Sequence, residues 1–215
     1  MLGDAPVLVQ SLRAFARHPE VGTVVAVVAP GDEAEVREVL AGHGLEAVAV
    51  VAGGASRQAS VAQGLAALGE VEVALVHDAA RPFVTARLIS AVVAAARAHG
   101  AAAAALPVAD TLRQGGAGPL FGATVPRDGV WAMQTPQGAR LAWLRHAHGH
   151  TRAVATDEAG LLQAAGYPVH IVHGDARNRK ITDASDWALA EALWPTWRAG
   201  GRERGRREGG NGTEH

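Results

Sequence analysis

Residues 47–83 read AVAVVAGGASRQASVAQGLAALGEVEVALVHDAARPF, and the order of apolar runs in them decides the fold. Ala47 to Val51 is a short apolar stretch halted by Gly53-Gly54. It shows no polar alternation, as suits a strand buried on both faces. Ser56 to Ala67 follows as a helix, and Val73 to His77 is the next apolar strand. The unit is strand, helix, strand.

Working outward, the unit repeats. Upstream, Val24 to Val28 is a β-branched strand stopped by Pro30 and Gly31, and Glu33 to Ala41 is a helix with its charges outward. Before them, Pro6 opens a helix carrying Val7, Leu8, Leu12 and Phe15. Downstream, Thr85 to His99 is an Ala-rich helix with Thr85 as its N-cap, and Ala101 to Leu106 is a fourth strand. Strands alternating with helices predict an α/β fold: a mostly parallel sheet with helices on both faces. The rhythm breaks between Val108 and Val130, where Gly115, Gly116, Gly118, Pro119, Gly122 and Pro126 interrupt any periodic run. That stretch, about residues 108–130, reads as a protruding arm. Helices at Ala139 to His148 and Asp157 to Ala165, a strand at Val169 to Val172 and a helix at Ala184 to Trp194 complete one domain over residues 1–198. Residues 199–215 are mostly Gly, Arg and Glu, too polar to repay their ordering entropy, and read as disordered.

The composition narrows the function. A net charge of −1 gives no global attraction to nucleic acid or acidic membranes, so a nucleotide would be held by a few placed cations. The absence of Cys removes thiolate nucleophiles, disulfides and Cys-based zinc sites, and suits a reducing cytoplasm. No apolar run reaches the roughly 18 residues of a membrane span. The start, Met1-Leu2-Gly3-Asp4, lacks the pattern of a signal peptide. There is no G-x-S-x-G, no G-x-G-x-x-G and no Walker loop, which argues against an α/β-hydrolase, a nicotinamide enzyme and a P-loop ATPase.

In an open parallel sheet ligands bind beyond the carboxyl ends of the strands, so the residues after each strand are the candidates. Gly53-Gly54 lets backbone approach a ligand before a helix N-terminus, and Ser56 or Ser60 could bond a base or sugar; it could equally be an ordinary turn. Asp78 can hold Mg²⁺ and Arg81 can hold phosphate, or the two can simply close the loop as an ion pair. Thr135-Pro136-Gln137 and Thr156-Asp157-Glu158 read as polar clusters between elements, their threonines either site groups or helix caps. Lys180, after the last strand, faces either phosphate or water. His146, His148 and His150 alternate near a helix end; only residues four apart share a helix face, so they read as exposed histidines and not as a metal site.

Taken in order, the blocks GGASRQAS, LVHDAARPF, PVADT, VPRDGVWAMQTPQ, TDEAGLL and NRKIT, from Gly53 to Thr182, resemble the methylerythritol phosphate cytidylyltransferases. Leu2 to Leu8 is similar to the segment leading into that family's first helix. The resemblance implies a Rossmann-like nucleotidyltransferase fold whose arm forms a homodimer. It implies cytidylyl transfer from CTP to 2-C-methyl-D-erythritol 4-phosphate with Mg²⁺, in cytoplasmic non-mevalonate isoprenoid synthesis. Ribitol 5-phosphate is the rival acceptor, and a non-catalytic truncated homologue the rival role. By the same resemblance, Gly54 and Ser60 match positions at the cytosine base. Asp78 matches the carboxylate at the metal and substrate hydroxyls, with Arg81 following in the same block. Thr111 and Arg127 match arm residues reaching the partner's substrate, Thr135 and Thr156 match the substrate pocket, and Lys180 matches a cation at the reacting phosphates. The family begins with a strand and a glycine-rich loop ending in Pro-Lys, and this chain starts after them. The expectation is therefore an N-terminally truncated member with unpaired strand edges, exposed apolar surface and fewer cations for the triphosphate.

Overall fold

Two hydroxyl caps start the helices that carry the architecture. Ser56 Oγ accepts the Ala59 N–H at the head of α3 (Arg57–Ala67), and Thr85 Oγ1 accepts the Leu88 N–H at the head of α4 (Ala86–His99). The computed structural model describes residues 1–150 and 155–208. The remaining elements are α1 (Val7–Ala16), β1 (Val25–Val28), α2 (Glu33–Ala41), β2 (Ala49–Ala52), β3 (Val73–Val76), β4 (Ala101–Pro107), β5 (Leu112–Gly115), β6 (Phe121–Val125), β7 (Trp131–Arg140), α5 (Leu141–His150), α6 (Glu158–Ala164), β8 (His170–His173) and α7 (Ala184–Glu208).

Three sheets form. β1 and β2 pair in parallel, β5 and β6 make an antiparallel hairpin, and the main sheet has the order β3-β7-β4-β8. β3 and β4 both pair antiparallel with β7, and β8 pairs parallel with β4, so β7 alone runs against its neighbours. The sequence rhythm correctly indicated the shared direction of the others. It missed β7, a ten-residue strand where a loop and then a helix from Ala139 were expected; α5 begins at Leu141. Thr135, Pro136 and Gln137 are therefore buried in a central strand and do not link elements. Helix α7 runs on past Trp194 to Glu208, so residues 199–208, read as disordered from composition, have helical backbone; residues 209–215 lie outside the described residues.

Helices cover both faces. Ala102 and Ala104 of β4 point to one face, under Leu88, Ile89, Val92 and Ala96 of α4. Ala101 of β4 and Ala139 of β7 point to the other, under Leu141, Leu144, Leu161 and Leu162 of α5 and α6. Alanine suits this sheet because small side chains let helices approach on both sides. At Gly138 a Cβ would collide with the Leu75 side chain.

β1 and β3 face one another across an apolar slot of about 490 Å³, lined by Val25 and Val27 on one bank and by Val73 and Leu75 on the other. Phe15 and Leu12 of α1 and Val61 and Leu65 of α3 also line it. The two strands run in the same direction. Arg97 ties their starting ends together, pairing with Glu20 and with Glu72 at 3.2 Å each. Each strand has one ladder partner among the described residues, so two strand edges face the slot. The arm is the β5–β6 hairpin, with Leu120 and Phe121 at its tip 68% and 83% exposed. No helix among the described residues is long and apolar enough to cross a membrane.

Candidate active site

The carboxyl ends of β2 and β3 converge on one region. After β2, the Gly54 N–H donates to Ser60 Oγ at 3.1 Å, and that hydroxyl donates to the Ser56 carbonyl at 2.9 Å. The chain passes so close to α3 that a Cβ at Gly53 would lie 2.6 Å from Ser60 Oγ, and one at Gly54 would lie 2.5 Å from the Ala59 Cβ. Glycine at both positions is a packing requirement. Gly54→Val is expected to cost about 1–3 kcal/mol by overpacking, read as a lowered urea midpoint with an unchanged slope.

After β3, Asp78 gathers the cations. Lys180 Nζ is 3.3 Å and Arg81 Nε 3.5 Å from its Oδ2, while an Arg57 guanidinium nitrogen is 3.8 Å from its Oδ1. Burial pushes the Asp78 carboxyl up, but Lys180 above all, with Arg57 and Arg81, outweighs it and holds the group below the usual carboxylate range. Arg57 also donates to Glu158 at 2.8 Å. Three cations thus face two carboxylates, leaving one positive charge unmatched. The site is built to take an anion.

A buried network fixes this cluster. His77 Nε2 lies 3.0 Å from the Arg81 carbonyl, which can only accept, so Nε2 carries the proton and Nδ1 is an acceptor. Thr135 Oγ1, 3.0 Å from Nδ1, therefore donates to the ring and accepts the Asp78 N–H, also at 3.0 Å. Burial depresses the His77 pKa to about 4, which keeps the ring neutral and this pattern intact. Asn178, fully buried, donates to the Thr135 carbonyl at 2.7 Å and accepts from Arg81 at 2.9 Å through its own carbonyl. The Ile181 N–H closes on the Ala80 carbonyl at 2.9 Å, which fastens the Lys180 segment to the Asp78–Arg81 loop.

Of the residues singled out from sequence, Asp78, Arg81 and Lys180 meet directly, with Gly54 and Ser60 at the neighbouring strand end. Thr135 is 3% exposed, and its hydroxyl is committed to His77 and the Asp78 backbone. Thr156 is exposed just before α6, where Asp157 accepts the Gly160 N–H at 2.9 Å as the cap. Thr111 and Arg127 lie exposed on the arm, where Arg127 donates to the Ala109 carbonyl. Neither touches the Asp78 cluster among the described residues. One expectation is corrected: His148 is not an exposed helix-end histidine. Its side chain is 5% exposed, with Nε2 2.7 Å from Glu158 Oε2, because α6 packs over the end of α5. Sequence reading missed Arg57, His77 and Glu158. They lie within the same blocks as the residues it found, but nothing in spacing distinguished them from solvated charges.

No group of three or more His, Asp or Glu among the described residues could hold a metal by itself. A single carboxylate beside an anion site fits a Mg²⁺ carried mainly on phosphates and water, with Asp78 as its protein ligand.

The chain matches, over residues 1–195, the family model described as 2-C-methyl-D-erythritol 4-phosphate cytidylyltransferase, IspD. It is 52% identical over 202 residues to the enzyme of that name from Salinibacter ruber, covering 92% of this chain and 84% of the relative. It is 46% identical to the bifunctional enzyme IspD/IspF of Desulforudis audaxviator, over 90% of this chain but only 50% of that longer protein. Among solved structures, the 2-C-methyl-D-erythritol 4-phosphate cytidylyltransferase of Thermus thermophilus superposes with a TM-score of 0.80 at 42% identity, covering 90% of this chain and 91% of that one.

Proposed function

Since the chain belongs to the 2-C-methyl-D-erythritol 4-phosphate cytidylyltransferase family, it is a cytidylyltransferase enzyme, and we propose that CTP and the acceptor phosphate meet at Asp78, Arg81 and Lys180. The reaction joins CTP to 2-C-methyl-D-erythritol 4-phosphate in isoprenoid synthesis. An oxygen of the acceptor phosphate attacks the α-phosphorus, the bond from that phosphorus to the bridging oxygen breaks, and pyrophosphate leaves. The observation that carries the site assignment is the unmatched positive charge at the carboxyl end of β3. Charge accumulates on the α-phosphoryl oxygens as the reaction proceeds, and fixed cations stabilise it at no cost in reorganisation. Lys180 is the cation for the reacting phosphates, and Arg81, held rigid by Asn178, grips a phosphate in its planar fork. Gly54 and Ser60 offer the rim for the cytosine base. Mg²⁺, when bound at Asp78, neutralises further phosphate charge.

The arm supports a homodimer in which Thr111, Arg127 and the exposed Leu120 and Phe121 reach the second subunit. Thr135 shapes the acceptor pocket through the backbone it holds, and Thr156 stands at its mouth. A chain without Cys suits the cytoplasm. The test is pyrophosphate release with light-scattering mass on the same sample. Release with CTP and methylerythritol phosphate, at least about tenfold faster than with ribitol 5-phosphate or UTP, and a dimeric mass are expected. Equal rates with ribitol 5-phosphate would overturn the acceptor, no release would overturn catalysis by this chain in favour of the non-catalytic role, and a monomeric mass would overturn the shared arm.

A further inference from the structure

Arg57 stands where a cation is disfavoured. It is the first residue of α3, against the positive end of the helix dipole. What holds it there is Glu158, whose carboxylate is 2% exposed and has both oxygens committed: Oε1 to Arg57 at 2.8 Å and Oε2 to His148 at 2.7 Å. A carboxylate so fixed fixes the guanidinium in turn. The nitrogen not used by Glu158 then lies 3.8 Å from Asp78 Oδ1, while Lys180 and Arg81 face Oδ2. The Asp78 carboxylate thus has cations on both sides from separate elements, Lys180 and Arg81 at Oδ2 and Arg57, at ion-pair distance, at Oδ1.

We infer that Arg57 is a positioning residue, aimed by Glu158 and His148, which sets the rotation of the Asp78 carboxylate for cytidylyl transfer. The inference rests on the assignment of the site to Asp78. A guanidinium is needed because one planar group spans two carboxylates; an ammonium at the same place meets one of them. Misplacement of a site group by about 1 Å can cost roughly 10²-fold in rate, so where the charge is kept and the fork is lost the effect falls on kcat.

The experiment compares Arg57→Ala, Arg57→Lys, Glu158→Gln and the double variant R57A/E158Q with the full chain, by steady-state pyrophosphate release and thermal melting. Arg57→Ala and Arg57→Lys are expected to lower kcat roughly 10- to 100-fold; Arg57→Lys, which keeps the charge, changes the KM for CTP less than about threefold, whereas Arg57→Ala, which removes the surplus charge, raises it as well. Arg57→Ala leaves Glu158 buried with one partner fewer and lowers the melting temperature, whereas the double variant removes that charge and regains it. The deciding result is that the double variant recovers stability while its kcat stays low. Recovery of kcat along with stability would make Arg57 merely structural and overturn the inference, as would an unchanged kcat in Arg57→Ala. Asp78→Asn in the same assay separates the two readings. Full activity there overturns the site itself, whereas loss there beside a fully active Arg57→Ala overturns only the role of Arg57.

Discussion

Lys180→Ala is expected to lower kcat/KM for cytidylyl transfer by roughly 10²–10³-fold, the scale seen when one preorganised charge-stabilising group is removed, and barely to move the melting temperature. The asymmetry follows from where Lys180 sits. Its side chain is 45% exposed, and its ammonium meets Asp78 at 3.3 Å, so as a stability element it is a partly solvated ion pair of about 0–1 kcal/mol. As a site element it supplies the charge that two carboxylates and three cations leave unmatched. Without it, Arg57 and Arg81 are fully matched by Glu158 and Asp78, and nothing remains for an incoming phosphate. Steady-state pyrophosphate release beside differential scanning calorimetry checks both halves. A variant within about threefold of the parent rate would remove Lys180 from the chemistry.

The second large effect is on stability and runs with pH. His77 titrates near its ordinary value of 6.5 when unfolded and near 4 when folded, because burial disfavours the charged ring. Above pH 6.5 both states are neutral and the native arrangement is intact. Below it the unfolded state takes up a proton that the folded state refuses, so stability falls as the pH drops towards 4. The full loss is about 3 kcal/mol, of which about 2 kcal/mol is gone by pH 5. His77→Gln is less stable than the parent at pH 7, since it disturbs the bonds to Thr135 and Arg81. It also lacks this titration, so the gap between the two narrows by about 2 kcal/mol from pH 7 to pH 5. Urea denaturation of the nucleotide-free proteins at both pH values measures it; parallel pH curves would mean that His77 is not buried neutral.

Much of the fold was legible because burial on both faces writes itself as uninterrupted apolar runs. β1, β3 and β4 were found within a residue or so on that signal alone. β7 was not, because its core includes Gln134, Thr135, Gln137 and Gly138, which no hydropathy pattern reads as strand. Those polar side chains are buried because the structure answers each one. Gln134 bonds the Asp175 backbone at 3.0 Å, Thr135 bonds His77, and Gln137 bonds Asp157 at 3.0 Å. These partners lie 20 to 58 residues away, and a one-dimensional pattern carries no trace of them. The same reason explains the site. Asp78 stands just past the end of β3 and Lys180 in the loop after β8, where topology alone makes a carboxylate or a cation informative. Arg57 gains meaning only from Glu158, 101 residues away, and His148 only from a helix that folds back over it.

On the proposed site assignment, the slot between β1 and β3 would split the work of holding a nucleotide. Gly53, Gly54 and Ser60 belong to the bank built on β2 and α3, whereas Asp78, Arg81 and Lys180 belong to the bank built on β3 and the main sheet. No ladder joins the two banks among the described residues; the Arg97 clasp links them at one end and Arg57, paired with Glu158 and facing Asp78, at the other, with helix packing between. A molecule that lays its base on one bank and its phosphates on the other therefore acts as a splint. Part of its binding free energy is spent in holding the halves at a fixed separation, and whatever stiffens the slot beforehand returns that energy as affinity.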